Sequence, residues 1–565
     1  MKRLLLPLAL AAAGVAAADP GIAVNQVGWL PGAAKWITAP PGEATAYRVV
    51  KAGTDVVVLR GQLGPARVWE PSGEPVRLAD LSALRTPGDY EVVIDGLPRS
   101  PRVRIAADAY AALTAAALKA FYFNRASTPL LPEHAGPWAR AAGHPDDRVL
   151  VHTSAASAER PEGTVIAAPQ GWYDAGDYNK YVVNSGITVY TLLAAWEHFP
   201  EVFRAQRLNI PESGNDLPDV LDEVMWNLSW MLAMQDPADG GVYHKLTNKG
   251  FDGVVMPADA RGERYVVQKS TAAALDFAAA MAHASRVFAP FEAQRPGLSA
   301  RLLQAARRAW DWAQAHPREV YRQPPDIHTG DYGDEQLDDE FAWAGVELWI
   351  STGEARYRPD LERLAINAPG WSDVKGLAWV TLGQHRRHLS QNDNAVVHAR
   401  LMNFAQENTA HWQASAWRIG ARAGDYGWGS NAALLNRALM LIQAYRVSPR
   451  PEVLAAAQGL LDHVLGRHPL GQSMVTGFGS RTPMHPHHRP SEADDVAAPV
   501  PGFLVGGPNP GQQDAQGCPV PYASKRPALS YLDHFCSYAS NEVAINWNAP
   551  LVYVAAALQA LTPKK

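Results

Sequence analysis

The chain has 565 residues, of which 47% are hydrophobic and 19% charged, with 51 Lys and Arg against 56 Asp and Glu. That composition is globular, and the length calls for more than one domain. The mild acidic balance, with no basic stripe, excludes a nucleic-acid partner.

Residues 1–18 read as a secretory signal peptide. Met1-Lys-Arg3 gives a basic start, Leu4–Leu10 a short apolar core, and Ala16-Ala-Ala18 a small-residue end before Asp19. The apolar run is too short to cross a bilayer and no other is longer, so no membrane span is expected. The mature protein is expected to be secreted or periplasmic. Loss of Lys2 and Arg3 leaves 49 basic against 56 acidic residues, a net charge of −7.

Residues 19–105 alternate like strands. Ile22–Val24, Trp36–Thr38, Tyr47–Val50, Val56–Leu59, Tyr90–Ile94 and Val103–Ile105 are short, rich in β-branched residues and punctuated by Gly, Pro and Asp. Strands at this spacing predict a small β-sandwich. It holds no cluster of titratable groups, so a supporting role is expected.

From Ala106 the period becomes helical. Helices are predicted over 108–121, 189–198, 217–235, 271–288, 301–315, 338–351, 431–445, 452–465 and 541–561. No βα alternation and no Gly-rich phosphate loop interrupts them, so residues 106–565 form an all-α domain. No Pro/Ser linker separates it from the sandwich, and direct packing is expected. Long loops rich in Gly, Pro, His and aromatics join the helices, and loops of that length usually carry function.

Five stretches carry candidate chemistry. Gly171-Trp-Tyr-Asp174-Ala-Gly176-Asp177-Tyr-Asn-Lys-Tyr181 sets two carboxylates three apart about a glycine, able to share a metal or hold a water, or else to cap a helix. Asn209-Ile-Pro-Glu-Ser-Gly-Asn-Asp-Leu-Pro-Asp219 feeds a helix whose acidic first turns, Asp219, Asp222 and Glu223, suit the macrodipole. Tyr332-Gly-Asp334-Glu-Gln-Leu-Asp-Asp339-Glu340-Phe341 is dense in hard oxygens, fit for Ca²⁺ or for a solvated helix start. His485-Pro-His487-His488-Arg489 lacks zinc spacing and reads better as a polar wall for sugar hydroxyls. In Tyr531–Asn548, Glu542 sits among apolar and aromatic residues, nine positions after Asp533. Burial there raises a carboxyl pKa and suits a general acid. The two cysteines, Cys518 and Cys536, permit one disulfide around 17 intervening residues, worth about 3 kcal/mol in the chain-entropy model.

These motifs resemble glycoside hydrolase family 9, the cellulase family once called E. The Ser473–Arg489 stretch looks like the family's histidine signature and Tyr531–Ala549 like its second signature. The Asp174-Ala-Gly-Asp177 turn and the Ile210-Pro-Glu-Ser-Gly-Asn215 segment also match, so the resemblance spans nearly the whole mature chain. It implies a mostly α fold: an (α/α)6-barrel catalytic domain preceded by a small all-β immunoglobulin-like sandwich. It implies Glu542 as general acid, Asp177 as general base and Asp174 as a holder of the attacking water, in an inverting reaction. Among the catalytic residues it also places His487 and Asp533, the latter in support. Arg489, Trp428, Trp547 and Tyr538 are the candidates for substrate contact, position 547 being commonly Tyr in the family. Asp339 and Glu340 fall where the family binds a structural Ca²⁺, with Asp373 as third ligand, although Trp371-Ser-Asp-Val-Lys375 departs from the usual consecutive aspartates. No cofactor is required for the chemistry.

The expected activity is endo-β-1,4-glucanase action by a monomer on cellulose or a soluble β-glucan. An exo-acting enzyme working on oligosaccharides, of β-glucosidase, cellobiohydrolase or exo-glucosaminidase type, is the nearer alternative. A non-catalytic glycan-binding protein is the more distant one, and would lack at least one of Asp174, Asp177 and Glu542.

Overall fold

The structure is a computed structural model that describes residues 21–563. The predicted leader therefore lies outside the described residues. Seven strands make the N-terminal unit: β1 (Trp36–Ala39), β2 (Ala46–Lys51), β3 (Val57–Gln62), β4 (Arg67–Trp69), β5 (Glu74–Asp80), β6 (Gly88–Val93) and β7 (Val103–Ile105). They form two antiparallel sheets, ordered β1-β5-β4 and β3-β2-β6-β7. Ile37, Val49, Val76, Val92 and Ile105 meet between them, fully or almost fully buried. Two expectations change here. Ile22–Val24 is no strand, making only a single bridge from Ala23 to Thr38. Strands β4 and β5 were not foreseen, because Pro75 interrupts the alternation near the start of β5, a place where a strand tolerates proline.

Eleven helices of ten or more residues follow among the described residues: α1 (Ala111–Phe123), α2 (Val182–His198), α3 (Asp219–Ala233), α4 (Thr271–Phe288), α5 (Leu298–Ala315), α6 (Asp338–Thr352), α7 (Lys375–Gln384), α8 (Gln391–Ala414), α9 (Ser430–Val447), α10 (Pro451–Val464) and α11 (Ile545–Leu561). Six of them close a ring, α2-α4-α6-α7-α9-α11 and back to α2. Helices α1, α3, α5, α8 and α10 pack outside it. Between α6 and α7 the chain runs through residues 353–374 with a single short turn, where a sixth outer helix would stand. This is an (α/α)6 barrel.

Composition decides which ring a helix joins. Helix α4 is alanine-rich and buried on nearly every side, as an inner helix must be. It approaches α2 so closely that a Cβ on Gly186 would sit 2.9 Å from the Cβ of Asp276. Helix α5 is amphipathic, with an apolar stripe from Leu302 to Ala313 and arginines outside. Helices α7 and α8 escaped the periodicity reading. The first is short. The second is long and rich in polar residues, burying Val397, Leu401, Met402, Ala405 and Trp412, and starts where the Ser390 hydroxyl accepts from Asp393 N–H at 3.1 Å.

The two units pack directly. Asp462 on α10 accepts hydrogen bonds from Asn25 (2.9 Å) and from the Trp29 indole (2.8 Å), and Trp69 lies against Trp417 with ring centroids 5.4 Å apart. A further small sheet joins the mouth of the barrel. Its strands, β8 (Val149–Val151), β9 (Val165–Ile166), β10 (Lys180–Tyr181), β11 (Lys245–Thr247) and β12 (Arg264–Val266), are ordered β10-β11-β12-β8-β9.

Candidate active site

Three separate segments converge at this mouth. The turn Asp174–Asp177 runs into β10, the loop 466–544 between α10 and α11 brings His487 and Arg489, and the lead into α11 brings Glu542. The predicted helix over 541–561 is corrected at this point. One helical turn ends at Asn541, Glu542 is extended (φ −68°, ψ 157°), and α11 begins at Ile545. The reason is tertiary. Glu542 bridges in parallel to His487, its carbonyl accepts from Gly506 N–H at 2.8 Å, and Val543 pairs with Val505. The break lets the carboxylate leave the helix surface and line a cleft of about 830 Å³.

That cleft is lined by Asp177, Glu542, His487, Arg489, Trp428, Tyr538 and Trp547, and also by Tyr181, Phe251, Asp331, Tyr332 and Trp371. Gly176 lies beneath it. Its N–H reaches Glu542 Oε1 at 3.4 Å, and its carbonyl accepts from the Arg489 guanidinium at 2.7 Å. A Cβ on Gly176 would fall 2.3 Å from the His487 carbonyl oxygen, so only glycine lets the two segments approach this closely.

The carboxylates differ in their surroundings. Asp174 is fully buried; Asn184 Nδ2 donates to both its oxygens at 3.0 Å and Tyr332 OH to Oδ2 at 3.0 Å. Burial, with the charge of Asp177, pushes its pKa up to about 8 against those donors. Asp177 Oδ2 accepts from Asn179 Nδ2 and from Tyr181 OH (3.1 Å). Glu542 is pushed up to about 8, by desolvation first and then by the charge of Asp177. A carboxyl that keeps its proton at neutral pH thus lies in one cleft with a hydrogen-bonded carboxylate.

His487 donates from Nδ1 to the Phe535 carbonyl (2.6 Å) and stacks on the Phe535 ring at 4.7 Å. Burial pulls its pKa down to about 4, so the imidazole is neutral and Nε2 is an acceptor. Arg489 also donates to the Asp252 carbonyl (2.9 Å) and lies over the Phe251 ring. Trp428 is 50% exposed and tilts against Tyr538, ring centroids 5.5 Å apart, while Trp547 packs beside Gly429.

Other expectations fare differently. Asp533 does not line the cleft. It accepts from the backbone N–H of Met484 and His485 (2.9 Å each) and from Asn541 Nδ2 (3.1 Å), tying the histidine loop to the Glu542 segment. Cys518 and Cys536 are bridged, which fastens the loop that carries Phe535. Asp219 accepts from Leu208 N–H and Ser213 Oγ (2.6 Å each), and Glu223 pairs with Arg125 at 2.9 Å, both structural contacts.

Asp339, Glu340 and Asp373 do not form a ligand set. Asp373 is engaged by Lys375 and Asn367, and Asp339 accepts from Val374 N–H at 2.8 Å. Among the described residues no group of three or more His, Cys, Asp or Glu is arranged to hold a metal ion. That covers the three histidines too. The nearby carboxyl oxygens without partners belong to Glu340, Asp276 and Asp334. Burial and mutual repulsion push Glu340 up to about 11 and Asp276 well above the usual carboxylate range.

Sequence reasoning missed Asn184, Tyr332, Phe251 and Trp371. Tyr332 carried a usable signal, opening the acidic segment 332–341. It holds a left-handed backbone (φ 53°) unusual for an aromatic residue, as strained residues at functional sites do. Phe251 and Trp371 are loop aromatics without a local pattern.

Comparison with known proteins agrees with this architecture. The pattern of glycosyl hydrolase family 9 matches residues 110–555, and that of the cellulase N-terminal ig-like domain matches residues 17–99. The chain is 43% identical over 561 residues to a xyloglucan-specific endo-beta-1,4-glucanase of Bacteroides ovatus, covering 96% of this chain and 94% of that protein. It is 32% identical to endoglucanase D of Acetivibrio thermocellus, covering 95% and 83%. A solved Bacteroides ovatus GH9 structure superposes with TM-score 0.90 at 41% identity, covering 96% of this chain and all of that one. A thermostable endoglucanase from Alicyclobacillus acidocaldarius superposes with TM-score 0.87 at 36% identity, covering 96% and 100%. With the family pattern spanning the whole barrel and its signature residues meeting in one cleft, the chain belongs to glycosyl hydrolase family 9.

Proposed function

We propose that this protein is an inverting endo-β-1,4-glucanase, with Glu542 as general acid and Asp177 as general base. The observation that carries the reading is the pairing of Glu542, held protonated near pH 7, with the hydrogen-bonded carboxylate of Asp177 in one cleft. Asp177 takes a proton from a water that attacks the anomeric carbon. Glu542 gives its proton to the glycosidic oxygen as the carbon–oxygen bond breaks, so one water is consumed and one new chain end forms on each side. Asp174, fixed by Asn184 and Tyr332, helps hold that water. The neutral His487 and the cationic Arg489 offer an acceptor and donors to sugar hydroxyls, and Trp428, Tyr538 and Trp547 offer faces.

Endo action is supported by the names of the Bacteroides ovatus and Acetivibrio thermocellus relatives. The first of these makes xyloglucan the soluble backbone to assay beside carboxymethyl cellulose. Export is supported by the leader-like segment and by the disulfide. No described helix is long and apolar enough to cross a membrane. A structural Ca²⁺ at Asp339 and Glu340 is tested by a rise in Tm with CaCl₂ that EDTA reverses.

The deciding experiment follows viscosity and reducing ends together on a soluble β-1,4-glucan, with the anomer of the first product read by proton NMR. Rapid viscosity loss and an α-anomer are expected. Release of reducing sugar without viscosity loss makes the enzyme exo-acting, and an initial β-anomer refutes the acid–base assignment.

A further inference from the structure

Lys245 has no part in the chemistry above, yet it is fully buried beneath it. It opens β11 and lies opposite Tyr181 of β10 in the antiparallel pair. Its ammonium donates to Gln323 Oε1 (2.9 Å), Thr329 Oγ1 (3.1 Å) and the Gly330 carbonyl (2.5 Å). All three donors therefore go to neutral oxygens, and no carboxylate forms an ion pair with it among the described residues. Burying an ammonium without a counter-ion is costly, and a methionine of similar length would fill the space without that cost. A lysine kept here at that cost is expected to act on its neighbours.

The acceptors show where it acts. Thr329 and Gly330 begin a strap, 329–332, laid along the floor of the cleft. Gly330 N–H donates to the Tyr181 hydroxyl (3.1 Å), and that hydroxyl donates to Asp177 Oδ2 (3.1 Å). Two residues on, Tyr332 donates to Asp174 Oδ2 (3.0 Å). Thr247, on the same face of β11 as Lys245, donates to Asn179 Oδ1 (3.1 Å), and Asn179 donates to Asp177. One short strand thus supports both aspartates through two relays.

We propose that Lys245 is a positioning residue for the catalytic base: it clamps the 329–332 strap that seats Tyr181 on Asp177 and Tyr332 on Asp174, and places a buried positive charge behind them. This rests on Asp177 being the base. The titratable groups facing Lys245 are Asp177, Asp331, His244, Tyr181 and Tyr321. Those facing Asp177 are Asp174 from its own turn and, from other elements, Glu542, His487, Arg489, Asp252 and Tyr332. Burial lowers the Lys245 pKa to about 7, and the charges of Asp331 and Asp177 work against that fall. The coupling is mutual, so removing the ammonium disfavours the ionised carboxylates.

The test uses the full chain and its Lys245→Met, Lys245→Arg, Thr329→Val and Asp177→Asn variants, with kcat and KM on a soluble β-1,4-glucan from pH 4 to 9 and Tm for each. Lys245→Met is expected to lose about tenfold or more in kcat, with KM within about twofold. The acid limb of its kcat/KM profile is expected to move to higher pH, because the base has lost a positive neighbour. Lys245→Arg recovers part of the rate, and Thr329→Val falls between with its acid limb moved the same way. A folded Lys245→Met with wild-type kcat and acid limb overturns the inference. If that variant does not fold, a Thr329→Val enzyme with a wild-type profile overturns it. Asp177→Asn separates the two claims. If it is inactive while Lys245→Met is normal, the base assignment stands and only the role of Lys245 falls; if it stays active, both fall.

Discussion

Replacing Glu542 with Gln removes one proton and leaves the shape of the cleft. With the carboxyl pKa at about 8, the acid form is about nine-tenths populated at pH 7; at an ordinary 4.5 it would be about 0.3%. The site therefore raises the fraction of competent acid by a factor of about 300 before any positioning is counted. Glu542→Gln should lower kcat on an unactivated glucan by about 10²–10⁴. On an aryl cellobioside whose leaving group needs no proton the loss should be far smaller. In the wild type, activity should fall as pH rises through about 8. That limb belongs to the coupled set of Asp174, Asp177 and Glu542 and not to one residue. The stability sign follows from the same shift. A carboxyl whose folded pKa is raised contributes stability below its unfolded pKa and loses it as pH rises through the folded one. The Gln variant should therefore gain in Tm relative to wild type between about pH 4.5 and 8 and keep the gain above. The assays are initial rates on both substrates and thermal melts across pH. Full hydrolysis of the unactivated glucan by Glu542→Gln would refute the argument, as would equal losses on the two substrates.

Three further outcomes test the surroundings. Trp428→Ala removes a half-exposed face and should raise KM on long glucans about fivefold, for about 1 kcal/mol of lost contact, with kcat nearly unchanged; a lowered kcat at constant KM would contradict this. Reduction of Cys518–Cys536, or the paired Ser variant, should lower Tm by the equivalent of about 3 kcal/mol at most and should also lower kcat, because Phe535 beside the bridge holds His487; melts and rates with and without reductant decide it. Asp462→Ala strands the buried donors of Asn25, Trp29 and Gln458 between the domains and should cost about 3 kcal/mol or more, read as a lower Tm without a change in KM.

Much of the site was legible because its residues sit in short motifs whose types are dictated by chemistry. Asp174, Gly176 and Asp177 share one turn, and His487 and Arg489 share another. Glu542 stood out as a carboxylate in an apolar run. The misreading of its helix shows the limit. Asn541–Ala549 has a helical pattern, and only pairing with His487 and Gly506 draws Glu542 into an extended link. Asp533 matched a motif, and only the fold shows its oxygens spent on backbone N–H groups. Asp373 also matched a motif, and only the fold shows Lys375 and Asn367 on its oxygens.

Local order along the chain determined the β-sandwich and most helices, because period, turn chemistry and residue type act over a few positions; it also singled out Glu542 as a candidate acid, while Asp177 as its base came from the family resemblance. The closing of six helices into a ring, the break before α11, the strap that ties Lys245 to Tyr181 and the cleft walls at Phe251, Tyr332 and Trp371 were decided by tertiary structure alone. Each depends on contacts between residues far apart in the chain, and burial, which sets the pKa of Glu542 and His487, exists only once those contacts are made.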